Sequence, residues 1–183
     1  MLERTTKVLC RALMEMLPAL EDSWWDKCVK GKLSFQQQQQ VERRGITQLD
    51  ELDLAALLRI VDQNWYELAD VRDWPREGRN FVKEMQTVRN RWAHAQVTEP
   101  ARDDIYRDLD TLQRFLALID PDDNLAQDVQ TEKEALLNGP VHSAPVLDEE
   151  APPRASTAFA LVDIVRLRAN PSKSGAVIAV MPG

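Results

Sequence analysis

Six consecutive residues, Arg89-Asn90-Arg91-Trp92-Ala93-His94, hold the side chains best suited to acid–base and anion chemistry in this chain. Histidine titrates near neutrality, so His94 can give or take a proton at a reacting group. Arginine stays charged and presents a planar fork of donors, so Arg89 can clamp an oxyanion as its charge develops. Other chemistry is thin. There is no glycine-rich phosphate loop, no Ser/His/Asp arrangement and no paired-histidine metal spacing. Asp103, Asp104, Asp108 and Asp110 read as solvated helix surface rather than a metal site, and His142 stands without a partner in a proline-rich stretch. Cys10 and Cys28 also lack ligand spacing, and read as reduced, buried thiols.

The balance of charge limits what the motif could serve. A net charge of −7 over 183 residues argues against a protein that coats nucleic acid, which needs many cations against phosphates. It leaves room for a small basic cleft. From Arg72 to His94 there are six cations and three anions, a local charge of +3 around the motif. No apolar run serves as a signal peptide or membrane span, so the expected location is the cytoplasm.

Helices must position these residues. Val8, Leu9, Leu13, Met16, Leu17 and Leu20 recur at helical spacing in a first helix from about Glu3 to the Trp24 region, with Pro18 bending or dividing it and Trp24-Trp25 anchoring the core. Ser34 to Arg44, with its glutamine run, reads as a solvated helix ended by Gly45. Thr47 or Asp50 can cap a helix carrying Leu54, Leu57, Leu58, Val61, Trp65 and Leu68, which ends near Asp70. Trp74-Pro75 turns the chain into a fourth helix, about Arg76 to Ala95, which contains the motif. Pro100 fits the first turn of a fifth helix, capped by Thr98 or Glu99 and buried through Ile105, Leu109, Leu112, Leu116 and Ile119. A last, more polar helix covers about Asp123 to Leu137. The expected fold class is all-α, a bundle of about five to six helices over residues 1–138.

On the fourth helix, Phe81, Met85, Val88, Trp92 and Ala95 fall within a band of about 80°, the expected core stripe. Measured from its centre, Arg89 lies at about 80°, Asn90 at about 180° and His94 at about 220°. Asn90 and His94 therefore point away from this helix's core face, with Lys83 and Thr87. From the residues alone, His94 is either reactive or an ordinary surface histidine. Arg89 and His94 also stand about 140° apart. They converge only if Arg89 reaches around, the helix end unwinds, or a second subunit supplies one of them.

Beyond residue 138 the composition changes. Pro140, Pro145, Pro152 and Pro153, with Asp148-Glu149-Glu150, predict a disordered acidic linker over 139–157. Residues 158–183 read as two strands, the first alternating from Val162 onward, about a turn from Asn170 to Gly175, an incomplete β-hairpin that cannot stand alone as a domain. The expectation is a truncated small β module.

Arg89-Asn90-Arg91-Trp92-Ala93-His94 resembles the signature of the HEPN superfamily (higher eukaryotes and prokaryotes nucleotide-binding domains), an Arg followed by a polar residue with four to six residues before a His. Here four intervene, near the end of a helix in an all-α bundle. The stretch Val88 to Ala95 most resembles the Swt-one-type branch. This resemblance implies a metal-independent endoribonuclease that needs no cofactor and works as a homodimer, with Arg89 and His94 catalytic, Asn90 orienting them, and Lys83 and Arg91 as weaker RNA contacts. RNA carries its own nucleophile, the 2′-OH, so such cleavage needs proton transfer and charge stabilisation more than a metal. A prokaryotic defence or stress-response role, as a toxin-like nuclease, is the expected setting. The alternative is a non-catalytic HEPN module that dimerises a larger protein or senses RNA. The stretch from Val165 to Gly183 resembles the opening of a small barrel found ahead of helicase motors in defence proteins, which would make a downstream helicase or ATPase a partner.

Overall fold

Heptad-like apolar spacing folds the first residues into α1 (Leu2–Leu20), whose Val8, Leu9, Ala12, Leu13, Met16 and Leu17 are buried along one face. The structure, a computed structural model, describes residues 1–94 and 100–138. Among them follow α2 (Phe35–Arg44), α3 (Leu54–Gln63), α4 (Trp65–Arg72), α5 (Gly78–His94), α6 (Arg102–Ile119) and α7 (Leu125–Asn138). A π-helical turn at Trp25–Val29 and 3-10 turns at Lys30–Lys32 and Leu49–Glu51 join them. The all-α bundle is as expected. The linker, the β-hairpin, His142 and the cap candidates Thr98 and Glu99 lie outside the described residues.

Several boundaries differ from expectation, each for a local reason. Pro18 lies inside the last turn of α1 and does not divide it; Trp24 and Trp25 begin a separate turn, edge to face at 5.8 Å, and pack against the core. α2 starts on a reciprocal cap, in which the Ser34 hydroxyl accepts from the Gln37 backbone N–H and the Gln37 side chain accepts from Ser34 N–H. It ends at Gly45, whose φ of 64° suits glycine. The cap of α3 is neither Thr47 nor Asp50 but Asp53, whose Oδ1 accepts from Ala56 N–H at 2.9 Å. Thr47 instead offers its backbone N–H to Glu51, the last residue of the 3-10 turn that contains Asp50.

The long helix expected through Leu68 is two helices, broken at Asn64. This residue is buried, and its Nδ2 donates to Ile60 O at 2.7 Å and to Cys28 O at 2.9 Å. Its side chain shares the Ile60 carbonyl with its own backbone N–H, a competition that bends helices. After the bend Trp65 enters the core and stacks on Trp74 at 5.4 Å. α6 also begins later than expected. Ala101, extended at φ −61° and ψ 148°, is its cap, so Pro100 precedes the helix rather than sitting in its first turn.

Leu109, Leu112, Phe115, Leu116 and Ile119 of α6 close the core from one side and α3 from the other, with α5 between them. The close approach of α5 depends on Gly78: a Cβ there would stand 2.8 Å from the Trp65 ring. Cys10 and Cys28 are free and buried, and burial raises both thiols above their usual range.

Candidate active site

On α5 the buried apolar side chains are Val82, Met85 and Val88, while Phe81 and Trp92 are half-buried. The buried arc therefore centres on Met85, about 40° round the helix from the expected stripe. This shift brings Arg89 inside the arc. Its side chain, 26% exposed, leaves the core edge toward the start of α3, where Nη2 donates to Asp53 Oδ2 at 3.1 Å. Asp53 thus divides its oxygens between two tasks, capping α3 with one and holding Arg89 with the other.

Arg89 Nη1 also donates to Asn90 Oδ1 at 3.3 Å, so the first two residues of the motif are in contact. Asn90 and Lys83 are exposed. His94 is the last residue of α5, five positions after Arg89. Arg91 and Trp92 turn to α6 instead. Arg91 Nη1 donates to Asp108 Oδ1 and Trp92 Nε1 to Asp108 Oδ2, both at 2.6 Å. Arg91 is thereby tied to a protein carboxylate, although 45% of its side chain remains exposed.

Asp108 and Asp110 correct the expectation of solvated surface. Asp108 is 3% exposed, and burial pushes its carboxyl up, against the pull of Trp92 and Arg91. Asp110 is also penalised by burial, but the hydrogen bond and charge of Lys133, with help from Arg114, hold it below the usual range. A signal for Asp108 was present. It follows Ile105 by three positions and precedes Leu112 by four, on the core side of α6, where a carboxylate must find donors. Among the described residues no group of three His, Cys, Asp or Glu side chains could hold a metal ion.

Between α2, α3 and α5 lies an open cleft of about 270 Å³, lined by Ser34, Gln37, Arg59, Asp62, Gln86, Arg89 and Asn90, together with Ala55 and Leu58. Arg59 donates Nε to Lys32 O at 2.8 Å. Asp62 accepts from Arg79 Nε, also at 2.8 Å. The sequence alone pointed to Arg89 and Asn90 but not to Arg59 or Asp62, because their nearness depends on how α3 crosses α5.

A helical bundle with an Arg-polar-x₃-His motif on one helix, its Arg beside a polar cleft, defines the class as a HEPN domain. The family described as Swt1-like HEPN matches residues 11–120, more than half of the chain, and the chain belongs to it. No curated protein and no solved structure matches the chain. Family membership supports an RNA-related role in general terms. No helix among the described residues is long and apolar enough to cross a membrane.

Proposed function

We propose that the chain is a metal-independent endoribonuclease, with Arg89 and His94 as catalytic residues and Asn90 orienting Arg89. The observation that carries this reading is the placement of Arg89. It is half-buried, braced by Asp53 and Asn90, and lines a polar cleft on the helix that ends at His94. A guanidinium fixed on two sides pays little reorganisation to meet a phosphate whose charge is growing.

In the proposed step a histidine takes the proton of an RNA 2′-OH, O2′ attacks the adjacent phosphorus, and the P–O5′ bond breaks. The leaving O5′ takes a proton from the histidinium so formed, giving a 2′,3′-cyclic phosphate and a 5′-OH and restoring the neutral imidazole. Arg89 and His94 are about 140° apart on an ideal helix. A homodimer in which two copies of α5 face one another would let Arg89 of one subunit act with the partner's histidine. Lys83, exposed on α5, would add a weak RNA contact, and Arg91 would do so from its seat on Asp108. A cytoplasmic defence or stress-response nuclease, gated by a helicase or ATPase motor, fits this chemistry.

The second reading, a non-catalytic module for dimerisation or RNA sensing, draws on one observation: both motif arginines sit on protein carboxylates. One experiment separates the two readings. The purified chain is incubated with mixed RNA in EDTA beside Arg89→Ala and His94→Ala. The nuclease reading expects EDTA-resistant cleavage that both variants lose. Cleavage surviving in both variants, or absent from the wild type, rejects it.

A further inference from the structure

We propose that the cleft between α2, α3 and α5 seats one unpaired nucleotide of a single-stranded RNA, its phosphate on Arg59 and its base against an exposed aromatic ring at the rim. The proposal rests on the RNA reading of the site above and names a subsite and a substrate class for it.

The first support is the charge pattern. Two guanidinium groups line the cleft, Arg59 and Arg89, and Arg89 is matched by Asp53, while the lining Asp62 is matched by Arg79. Arg59 bonds only a backbone carbonyl, through Nε. Its two terminal nitrogens have no protein partner among the described residues. They form the fork that takes two oxygens of a phosphate at once.

The second support is the polar lining. Gln37 commits its Oε1 to Ser34 N–H, Gln86 commits its Nε2 to Leu58 O, and Asn90 commits its Oδ1 to Arg89. Among the described residues each amide's other end has no protein partner, two as donors and one as an acceptor. Such a set can meet the edge of a base. At about 270 Å³ the cleft lies just below the range of small-ligand sites, which begins at about 300 Å³, and it suits one nucleotide rather than a duplex.

The third support is independent of both. Among the described residues, the exposed large apolar side chains include two aromatic rings, Phe35 at 74% and Tyr66 at 69% exposure. Phe35 directly follows the cleft-lining Ser34. Tyr66 is linked to the cleft wall by Arg79, whose guanidinium lies 5.5 Å from the ring centroid while its Nε holds Asp62. Exposed aromatic rings are the means by which proteins hold unpaired bases, and paired bases have no free face to offer them.

The test uses the full chain with His94→Ala to block cleavage, and a short fluorescein-labelled single-stranded RNA followed by anisotropy across a salt series. Adding Arg59→Gln should weaken binding about tenfold and lower the slope of log affinity against log salt by about one. Adding Phe35→Ala, at a position 74% exposed, should weaken binding about fivefold or more and leave the slope unchanged. The same RNA annealed to its complement should bind more weakly than the single strand.

Absence of binding by the His94→Ala chain overturns the proposal, as does affinity within about twofold in both added variants, or equal affinity for the duplex. The outcome is separable from the nuclease reading. Binding that depends on Arg59 and Phe35 in a chain that cleaves nothing keeps the subsite and removes the nuclease. Cleavage with binding indifferent to both residues does the reverse.

Discussion

Asp108 Oδ2 stands 2.6 Å from Trp92 Nε1, and the same carboxylate holds Arg91 through Oδ1. One buried side chain of α6 therefore grips two adjacent residues inside the six-residue motif of α5. The grip fixes the rotation of the helix end on which Arg89, Asn90 and His94 are carried.

Asp108→Asn tests that grip. An amide has one acceptor oxygen where the carboxylate had two, so either Trp92 or Arg91 loses its partner on Asp108. Stability should fall by about 1–3 kcal/mol, read from urea midpoints. The pH dependence has a definite sign. Burial, with Asp104 nearby, raises the Asp108 carboxyl against Trp92 and Arg91, so the folded chain binds this proton more tightly than the unfolded chain does. Relative to Asp108→Asn, the wild type should gain stability as pH falls from neutrality toward the ordinary value of 3.8. A relative loss over that window contradicts the assignment.

Asp123 should show the opposite sign. It accepts from Arg11 at 2.7 Å and from the Leu125 backbone N–H at 2.8 Å, and the Arg11 bond, its largest influence, holds its carboxyl below the usual range. Its contribution is therefore present above the ordinary value of 3.8 and lost as pH falls through the lower folded value. Asp123→Asn keeps the acceptor for Leu125 but drops the charge. Thermal melts of the two chains should differ at pH 7 and converge in acid; parallel curves down to acid pH would count against the ion pair.

Gly78→Ala sets two effects against each other. Alanine in a helix gains at most about 1 kcal/mol over glycine. Its Cβ would stand 2.8 Å from Trp65 and 3.1 Å from Leu118. Trp65 is buried and stacked on Trp74, so its ring cannot swing clear. Overpacking of this kind costs about 1–3 kcal/mol, so a net fall in the urea midpoint is expected. A more stable variant would show that α5 can retreat from α4.

These contacts mark how far the sequence can be read. The helices were legible because their apolar residues recur at helical spacing, and Ser34 with Gly45 bracketed α2 by cap chemistry that is local. Asp53 was missed as a cap because Thr47 and Asp50 offer the same chemistry just upstream, and only the 3-10 turn between them shows which is used. Asn64 looked like one polar residue in a helix, and its effect depends on a carbonyl 36 positions away. Arg89 was placed at the stripe's edge, but Val82 moves the arc so that Arg89 belongs to it. Arg59 and Asp62 had no mark in the sequence at all, since the cleft they line exists only where three helices meet.

The last prediction concerns the bond between Arg89 and Asp53. If Arg89 clamps the scissile phosphate, the phosphate must compete with Asp53 for the guanidinium. Asp53→Asn removes the competing charge, while asparagine remains among the best helix caps for the Ala56 N–H. The exposed ion pair contributes little to stability, about 1 kcal/mol at most, so the fold should hold. RNA should then bind more readily, lowering KM severalfold. The guanidinium also loses one of its two braces, so kcat should fall or stay level rather than rise. Arg89→Lys provides the contrast: the charge remains but the fork is lost, and kcat should fall by about a hundredfold with the Asp53 carboxylate intact. Steady-state cleavage of one labelled RNA by the three chains measures both parameters. An unchanged or higher KM in Asp53→Asn would show that Arg89 does not leave Asp53 for the substrate, and would move the phosphate clamp to another cation.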